Sequence, residues 1–416
     1  MDALMLPLNW QRVRLGDVAE IKRGASPRPI ENPKWFCANS NVGWVRISDI
    51  SKNSRFLYKT AQKLSKKGIE KSKFIKQNSL IMSMCATIGK PIITKIDTCI
   101  HDGFVVFENP KIDLNYLYYF LCYIEKEWLE SGQQGSQVNL NVDLIKNKEV
   151  FYPKDLNEQI AIANILSALD RYLYSLDALI LKKESVKKAL SFELLSQRKR
   201  LKGFNQAWQR VRLGDICEII GGGTPSTQIT SFWSGSINWF TPTEIGITKY
   251  VYKSQRTITP LGLKKSSAKL LPIGTILLTS RASIGDCAIL KEVATTNQGF
   301  QSLIPLEKIN NEFLYYLILT LKNKLLKLAS GSTFLEVSPN KIKNLLIPLP
   351  PLNEQIAIAN ILSGLDHEII SLKNKKRQFE NIKKALNHDL MSAKIRVLKK
   401  INAPKVKDKP ASQGNP

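Results

Sequence analysis

The 416-residue sequence predicts a mixed α/β (α+β) fold built from two tandem copies of one globular module, each followed by a long helix. Three observations carry that prediction. The chain is internally duplicated, two apolar patterns of heptad type run through the repeated ends, and short β-rich runs punctuated by Gly and Pro fill the rest.

The duplication is read directly. WQRVRLGD occupies Trp10–Asp17 and recurs at Trp208–Asp215, and LNEQIAIANILS occupies Leu156–Ser167 and recurs at Leu352–Ser363, at offsets of 198 and 196 residues. Between these anchors the copies diverge but keep their punctuation. Gly24-Ala25-Ser26-Pro27 matches Gly222-Gly223-Thr224-Pro225, Trp44 matches Trp239, and Ala86-Thr87-Ile88-Gly89 matches Ala282-Ser283-Ile284-Gly285. Shared framing with different filling predicts two modules of one fold that recognise different things.

Within the modules, candidate strands are Trp44–Ile47, Leu80–Ser83 and Phe104–Phe107, then Ile237–Phe240, Thr275–Thr279 and Phe300–Ile304. Tyr116–Trp128 and Phe313–Leu328 read as core helices. After Pro153, Asp155, Asn157 and Glu158 open a helix whose stripe is Ile162, Ile165, Leu169, Tyr172, Leu176, Leu179, Lys183, Val186 and Leu190. After Pro350-Pro351 the second stripe is Ile358, Ile361, Leu365, Glu368, Leu372, Lys375, Phe379, Ile382 and Leu386. Steps of three and four make each a coiled-coil seam, in which the few charged positions can set register. A helix of roughly 40 residues is about 60 Å long. The expected divisions are therefore a first module over 1–154, a helix over 155–203, a second module over 204–350, a helix over 351–400 and a basic, disordered tail over 401–416.

Composition narrows the function classes. Sixty-one Lys and Arg against 35 Asp and Glu give a formal charge of +26, which calls for a polyanionic partner; nucleic acid is favoured over an anionic membrane. Six cysteines form no CxxC pair and three histidines complete no ligand spacing, so no metal site is expected. No apolar run reaches membrane-spanning length and no basic region precedes an apolar run at the N-terminus, so a cytoplasmic protein is expected. There is no [DN]PP[YF] motif and no GxxxxGK[ST] loop, which removes the signatures of adenine methylation and of nucleotide binding. His101-Asp102 invites a catalytic reading, but the second copy carries Asn297-Gln298 there, which cannot act as a base. No catalytic residue and no cofactor are expected.

Taken together, the WxxVxLGDV-like opening, the Gly-rich loop with Ser/Thr-Pro, the strand Gly43-Trp44-Val45-Arg46-Ile47, the Ala-x-Ile-Gly turn and the proline before LNEQIAIANILS resemble the specificity subunit of type I restriction-modification systems. The resemblance covers roughly residues 7–395. It implies two target-recognition domains, each reading half of a split sequence in double-stranded DNA, and two antiparallel helices forming a spacer. It further implies separate subunits, two methyltransferase subunits among them, that supply adenine methylation and ATP-driven restriction. A metal-dependent site-specific nuclease and a coiled-coil scaffold without sequence preference remain the competing readings.

Candidate DNA contacts are Ser26 and Arg28 in the first Gly-rich loop, Thr224, Ser226 and Thr227 in the second, Arg46 and Arg281 as guanine readers, and Lys67 for phosphate. The polar clusters Gln133, Gln134, Ser136, Gln137 and Ser332, Thr333 are candidates for adenine edges. Each has a plain alternative: a strand-connecting turn, a solvated charge or a polar loop. Trp44 and Trp239 read as core. Because Asn157, Glu158, Gln159 and Asn164 recur as Asn353, Glu354, Gln355 and Asn360, the repeated segments are expected to present one docking surface twice. The resemblance implies that the methyltransferase subunit occupies it.

Overall fold

In a strand successive side chains point to opposite faces, and the central strands of both modules bury both faces. The computed structural model describes residues 7–51, 55–130, 140–331 and 335–397. The chain divides into two units, Met1–Ser175 with Lys376–Pro416, and Leu176–Lys375.

The first unit contains a five-stranded sheet in the order Glu20–Arg23, Phe104–Glu108, Leu80–Ser83, Pro91–Thr94, Phe56–Leu57, antiparallel except for its last pair. Phe104 and Val106 face an inner core with Val45, Ile81, Ile92 and Ile100, while Val105 and Phe107 face Leu80, Met82, Tyr116 and Phe120. A second sheet orders Gln62–Lys63, Gly43–Val45, Thr98–Ile100 and Lys73–Ile75. The second unit repeats the plan. Its five-stranded sheet runs Cys217–Gly221, Gln301–Pro305, Ile276–Leu278, Cys287–Leu290, Tyr250–Val251, and its smaller sheet holds Arg256–Ile258, Trp233–Phe240 and Ala294–Thr296.

All six sequence-predicted strands coincide with observed ones, several of them shorter or longer by a few residues. Both predicted core helices are divided, into Leu114–Tyr123 and Glu125–Glu130 and into Asn311–Thr320 and Lys322–Leu328, because Ile124 and Leu321 leave helical geometry. The two repeated motifs meet in space. Trp10–Arg14 pairs antiparallel with Glu149–Pro153, and Gln209–Arg212 pairs with Leu346–Leu349, immediately before the long helices.

Those helices, α1 (Leu156–Leu195) and α2 (Leu352–Met391), are 40 residues each. They stop short of the predicted 203 and 400, and both stop in the same way. Gln197 and Ala393 take positive φ of 62° and 58°, and the N–H groups of Lys199 and Ile395 donate to the carbonyls of Glu193 and Asp389. This left-handed termination satisfies carbonyls that the last turn would otherwise leave open.

The seam also differs from the sequence reading by one column. Ile162, Leu169, Leu176, Lys183 and Leu190 do face inward or half inward, as does Tyr172 against Phe379, but Ile165, Leu179 and Val186 are exposed, as are Ile361, Glu368, Lys375 and Ile382. The inward partners are instead Leu166, Leu173, Ile180, Lys187 and Leu194, and on α2 Leu362, Ile369, Lys376, Lys383 and Leu390. Steps of four then three replace steps of three then four, a choice that a sequence apolar in both columns leaves open.

In each unit the halves of the two helices run antiparallel and are joined by an ion pair that also reaches the module. In the first unit Asp170 pairs with Lys383 and accepts a 2.6 Å hydrogen bond from the Tyr119 hydroxyl. In the second Asp366 pairs with Lys187 and accepts a 2.5 Å bond from Tyr316. A module cation completes each cluster: Arg55 donates to Tyr119, Ser167 and Asn115, and Lys249 donates to Tyr316 and Ser363. Burial, reinforced by the neighbouring carboxylate, pushes both tyrosine hydroxyls well above their ordinary pKa, so they stay donors. Asp366→Ala, which strands Lys187 and the Tyr316 hydroxyl, is expected to cost about 1–3 kcal/mol. Asp366→Asn, which keeps an acceptor for Tyr316, is expected to lose less, and a denaturant titration of both variants checks the order.

Candidate nucleic-acid interface

The Gly-rich loops are held by the segment following the Thr98–Ile100 and Ala294–Thr296 strands. A Cβ on Gly24 would lie 2.1 Å from the His101 carbonyl oxygen, and one on Gly222 would lie 1.9 Å from that of Asn297, so only glycine permits the approach. In the first module Ser26 donates to Asp102 at 2.8 Å, Arg28 pairs with the other Asp102 oxygen at 3.0 Å, and Arg23 donates to its carbonyl. Burial alone would raise the Asp102 carboxyl; the Ser26 and backbone hydrogen bonds and the Arg28 charge outweigh it and hold the group below the usual carboxylate range. In the second module Thr224 donates to Gln298, the positional counterpart of Asp102. The dipeptide that looked catalytic thus braces a loop, with charge in one copy and without it in the other.

His101 itself is turned inward. Burial lowers its pKa against the opposing charge of Asp102, Arg46 lowers it further, and its Nδ1 accepts from the Gly103 amide at 2.9 Å. A neutral imidazole that accepts one backbone N–H is a structural group. Trp44 is fully buried, and the nearly buried Trp239 donates its indole N–H to the Gly223 carbonyl at 2.9 Å, fixing the loop from beneath. Trp35 and Trp233 do the same for Pro29 and Ser226.

The candidate contacts fall into distinct states. Arg28 is exposed on its Asp102 buttress, Ser226 and Thr227 are exposed, and Ser26 and Thr224 are half-buried in the brace. Arg46 is half-buried and donates to Gln62 at 2.9 Å. Arg281 sits in the loop after Ile276–Leu278, paired with Glu336 at 2.8 Å. Lys67 is exposed on the short helix Lys66–Glu70. Gln133, Gln134, Ser136, Gln137, Ser332 and Thr333 lie outside the described residues. Sequence reasoning passed over Arg256, which lies 3.8 Å over the Trp233 ring and 5.4 Å from Trp239. Aligning the two copies on Trp44 and Trp239 would have flagged it, because Gln62 and Arg256 sit opposite those tryptophans in register.

The repeated helix starts have an inner and an outer face. Gln159 accepts from the Asp113 amide and donates to Pro153, and Gln355 does the same with Asn310 and Pro350. Glu354, fully buried, takes two bonds from Arg200 at 2.7 and 3.2 Å and one from Trp208 at 3.0 Å. Glu158 correspondingly meets Asn9 at 2.9 Å and Arg396 at 3.6 Å. Each arginine follows the left-handed stop of one long helix and binds the first turn of the other. These four acidic and amide side chains are therefore spent inside the fold, which corrects the expectation that they face a partner. Asn157, Asn164, Asn353 and Asn360 are exposed, together with Leu156, Ile160 and Ile165 and their repeats Leu352, Ile356 and Ile361.

Among the described residues no group of three or more His, Cys, Asp or Glu is placed to hold a metal ion. None of the described helices is long and apolar enough to cross a membrane.

The type I restriction modification DNA specificity domain matches residues 7–183 and again 205–381. The specificity subunit of the type I restriction enzyme MjaIX from Methanocaldococcus jannaschii is 42% identical over 181 residues, 42% of this chain and 41% of that one. The EcoR124I/EcoR124II specificity subunit from Escherichia coli is 30% identical over 270 residues, 62% of this chain and 65% of that one. The matched stretches thus span less than two thirds of either relative. A chain solved in work on complex assembly and conformational transition of a type I restriction-modification system has the same fold, with a TM-score of 0.63 at 19% identity over 93% of this chain and 98% of that one. With both modules and most of both long helices inside the two matched stretches, this chain belongs to the type I restriction modification DNA specificity domain family.

Proposed function

We propose that this chain is the sequence-reading subunit of a type I restriction-modification complex: each module reads one half of a bipartite site in double-stranded DNA, and other subunits carry out methylation and restriction. The observation that carries this reading is a loop held in one way in two modules but armed differently. Both loops rest on a glycine pressed against a backbone carbonyl and on an indole N–H, and Ser26 and Thr224 brace them alike, yet one exposes Arg28 on the charged Asp102 where the other exposes Ser226 beside an uncharged Gln298 brace. Equal frames with unequal donors suit two half-sites of different sequence, since phosphate contacts position a protein while base-edge contacts specify. The chain itself contributes no chemical step, takes no cofactor and works in the cytoplasm.

We assign the outer face of the helix starts to two methyltransferase subunits, one on each copy. Leu156, Ile160, Ile165 and their repeats give each copy the same exposed apolar stripe flanked by asparagines, as two identical partners require. Restriction subunits then join through the complex.

Sequencing the methylome of a host with and without this gene tests the reading: an adenine-methylation motif of two halves around a fixed gap is expected only with the gene, and its absence overturns the proposal. The gap is expected to depend on the helices. Four residues inserted in each, between Ser175 and Leu176 and between Lys375 and Lys376, add about 6 Å. That predicts a gap longer by about one or two base pairs with both halves unchanged, given a helical turn of about 34 Å per 10 base pairs. Ile160→Asp with Ile356→Asp is expected to abolish motif methylation and co-purification with the methyltransferase subunit, while the thermal unfolding curve stays within a degree or two of wild type, because both positions are exposed.

A further inference from the structure

We infer that Arg256 is a base-reading residue of the second module, donating through its guanidinium to a guanine edge in the major groove. The inference rests on the proposed reading of DNA and names a residue within it. Four other arginines of the two modules, Arg23, Arg28, Arg46 and Arg281, have their guanidinium groups committed within the protein, Arg23 to the Asp102 carbonyl. Arg28 is bound to Asp102, Arg46 to Gln62 and Arg281 to Glu336. Arg256 is exposed, and among the described residues its N–H groups have no acceptor.

Its orientation is nevertheless fixed. The guanidinium carbon lies 3.8 Å from the centre of the Trp233 ring and 5.4 Å from that of Trp239, and the two indoles meet edge to face with centroids 5.0 Å apart. Stacking holds the cation through its π-face and leaves the hydrogen-bonding edge open. The same indoles carry the loop, since Trp233 donates to the Ser226 carbonyl and Trp239 to that of Gly223. Arg256 is thereby tied, through Trp233, to the loop that carries Ser226 and Thr227, a segment of this module already expected at DNA. A planar fork held rigid with free donors is the arrangement that pairs bidentately with guanine O6 and N7.

The first module supports the assignment by contrast. In register with Trp44, where the second module has Arg256 opposite Trp239, it has Gln62, whose side-chain oxygen holds Arg46. One position on the small sheet is thus an unpaired cation in one copy and an amide bound to its neighbour in the other. This is the kind of difference that lets two copies of one fold read different bases.

Methylome sequencing of hosts expressing the full chain as wild type, Arg256→Ala or Arg256→Lys decides the matter. Both variants are expected to lose preference at a single G·C position in one half-site, by about 5- to 150-fold, with the other half-site and the gap unchanged. Lysine keeps a cation near Trp233 but lacks the planar fork, so it separates base reading from charge and covers the case in which the alanine variant does not fold. Uniformly weaker methylation restored by Arg256→Lys would make Arg256 a phosphate contact and overturn the inference. So would an unchanged motif in both variants. If the wild-type chain itself directs no two-part motif, the underlying reading of DNA fails as well.

Discussion

A carboxylate on one long helix and a lysine on the other, bridged to a module tyrosine, is the constraint from which the rest of the architecture follows. Asp170 with Lys383 and Tyr119, and Asp366 with Lys187 and Tyr316, fix the register of the helix halves and attach a module to them at the same point. Neither lysine could occupy an inward seam column unpaired, because desolvating an ammonium costs far more than the apolar contacts of its stem return. The pairing therefore selects one alignment among those that an apolar stripe alone would accept. Nearby, the two units differ: Tyr172 meets Phe379 with ring centroids 4.7 Å apart, while the equivalent positions Glu368 and Lys183 form an ion pair. Each half of α1 thus has a partner on α2 that matches it in chemistry.

A second lock joins the ends. The left-handed stops at Gln197 and Ala393 carry Arg200 and Arg396 to the buried carboxylates Glu354 and Glu158. A stop that frayed by one turn would leave a carboxylate without its cation inside the fold, a costly state. The identity of the two helix starts is explained by this internal work on one face and by the exposed Leu, Ile and Asn stripe on the other. A repeated motif can be conserved between copies for two unrelated physical reasons at once.

Above this common frame, the modules vary where variation is cheap. Gly24 and Gly222 are dictated by backbone approach, and Trp44 and Trp239 by burial, so these positions recur. The residues that complete the loops sit at the margin of the core, Arg256 over Trp233 and near Trp239. Asp102 against Gln298 and Gln62 against Arg256 change hydrogen-bonding edges while the five-stranded sheets keep the same strand order.

From the sequence alone, the duplication, the mixed α/β class, six strand positions and the existence of two long helices were legible. Each depends on local periodicity or on identity between copies, which survive without knowledge of contacts. The seam column was not legible, since Ile165 and Leu166 are equally apolar and only packing reveals which one is buried. The helix ends were hidden because Gln197 and Ala393 lack the glycine that usually marks a left-handed stop. The inward turn of Glu158, Gln159, Glu354 and Gln355 and the stacking of Arg256 involve partners far apart in the chain, such as Arg200 for Glu354. Which polar side chains are spent within the fold and which stay free for a partner is a property of three-dimensional neighbours, and tertiary structure alone decided it.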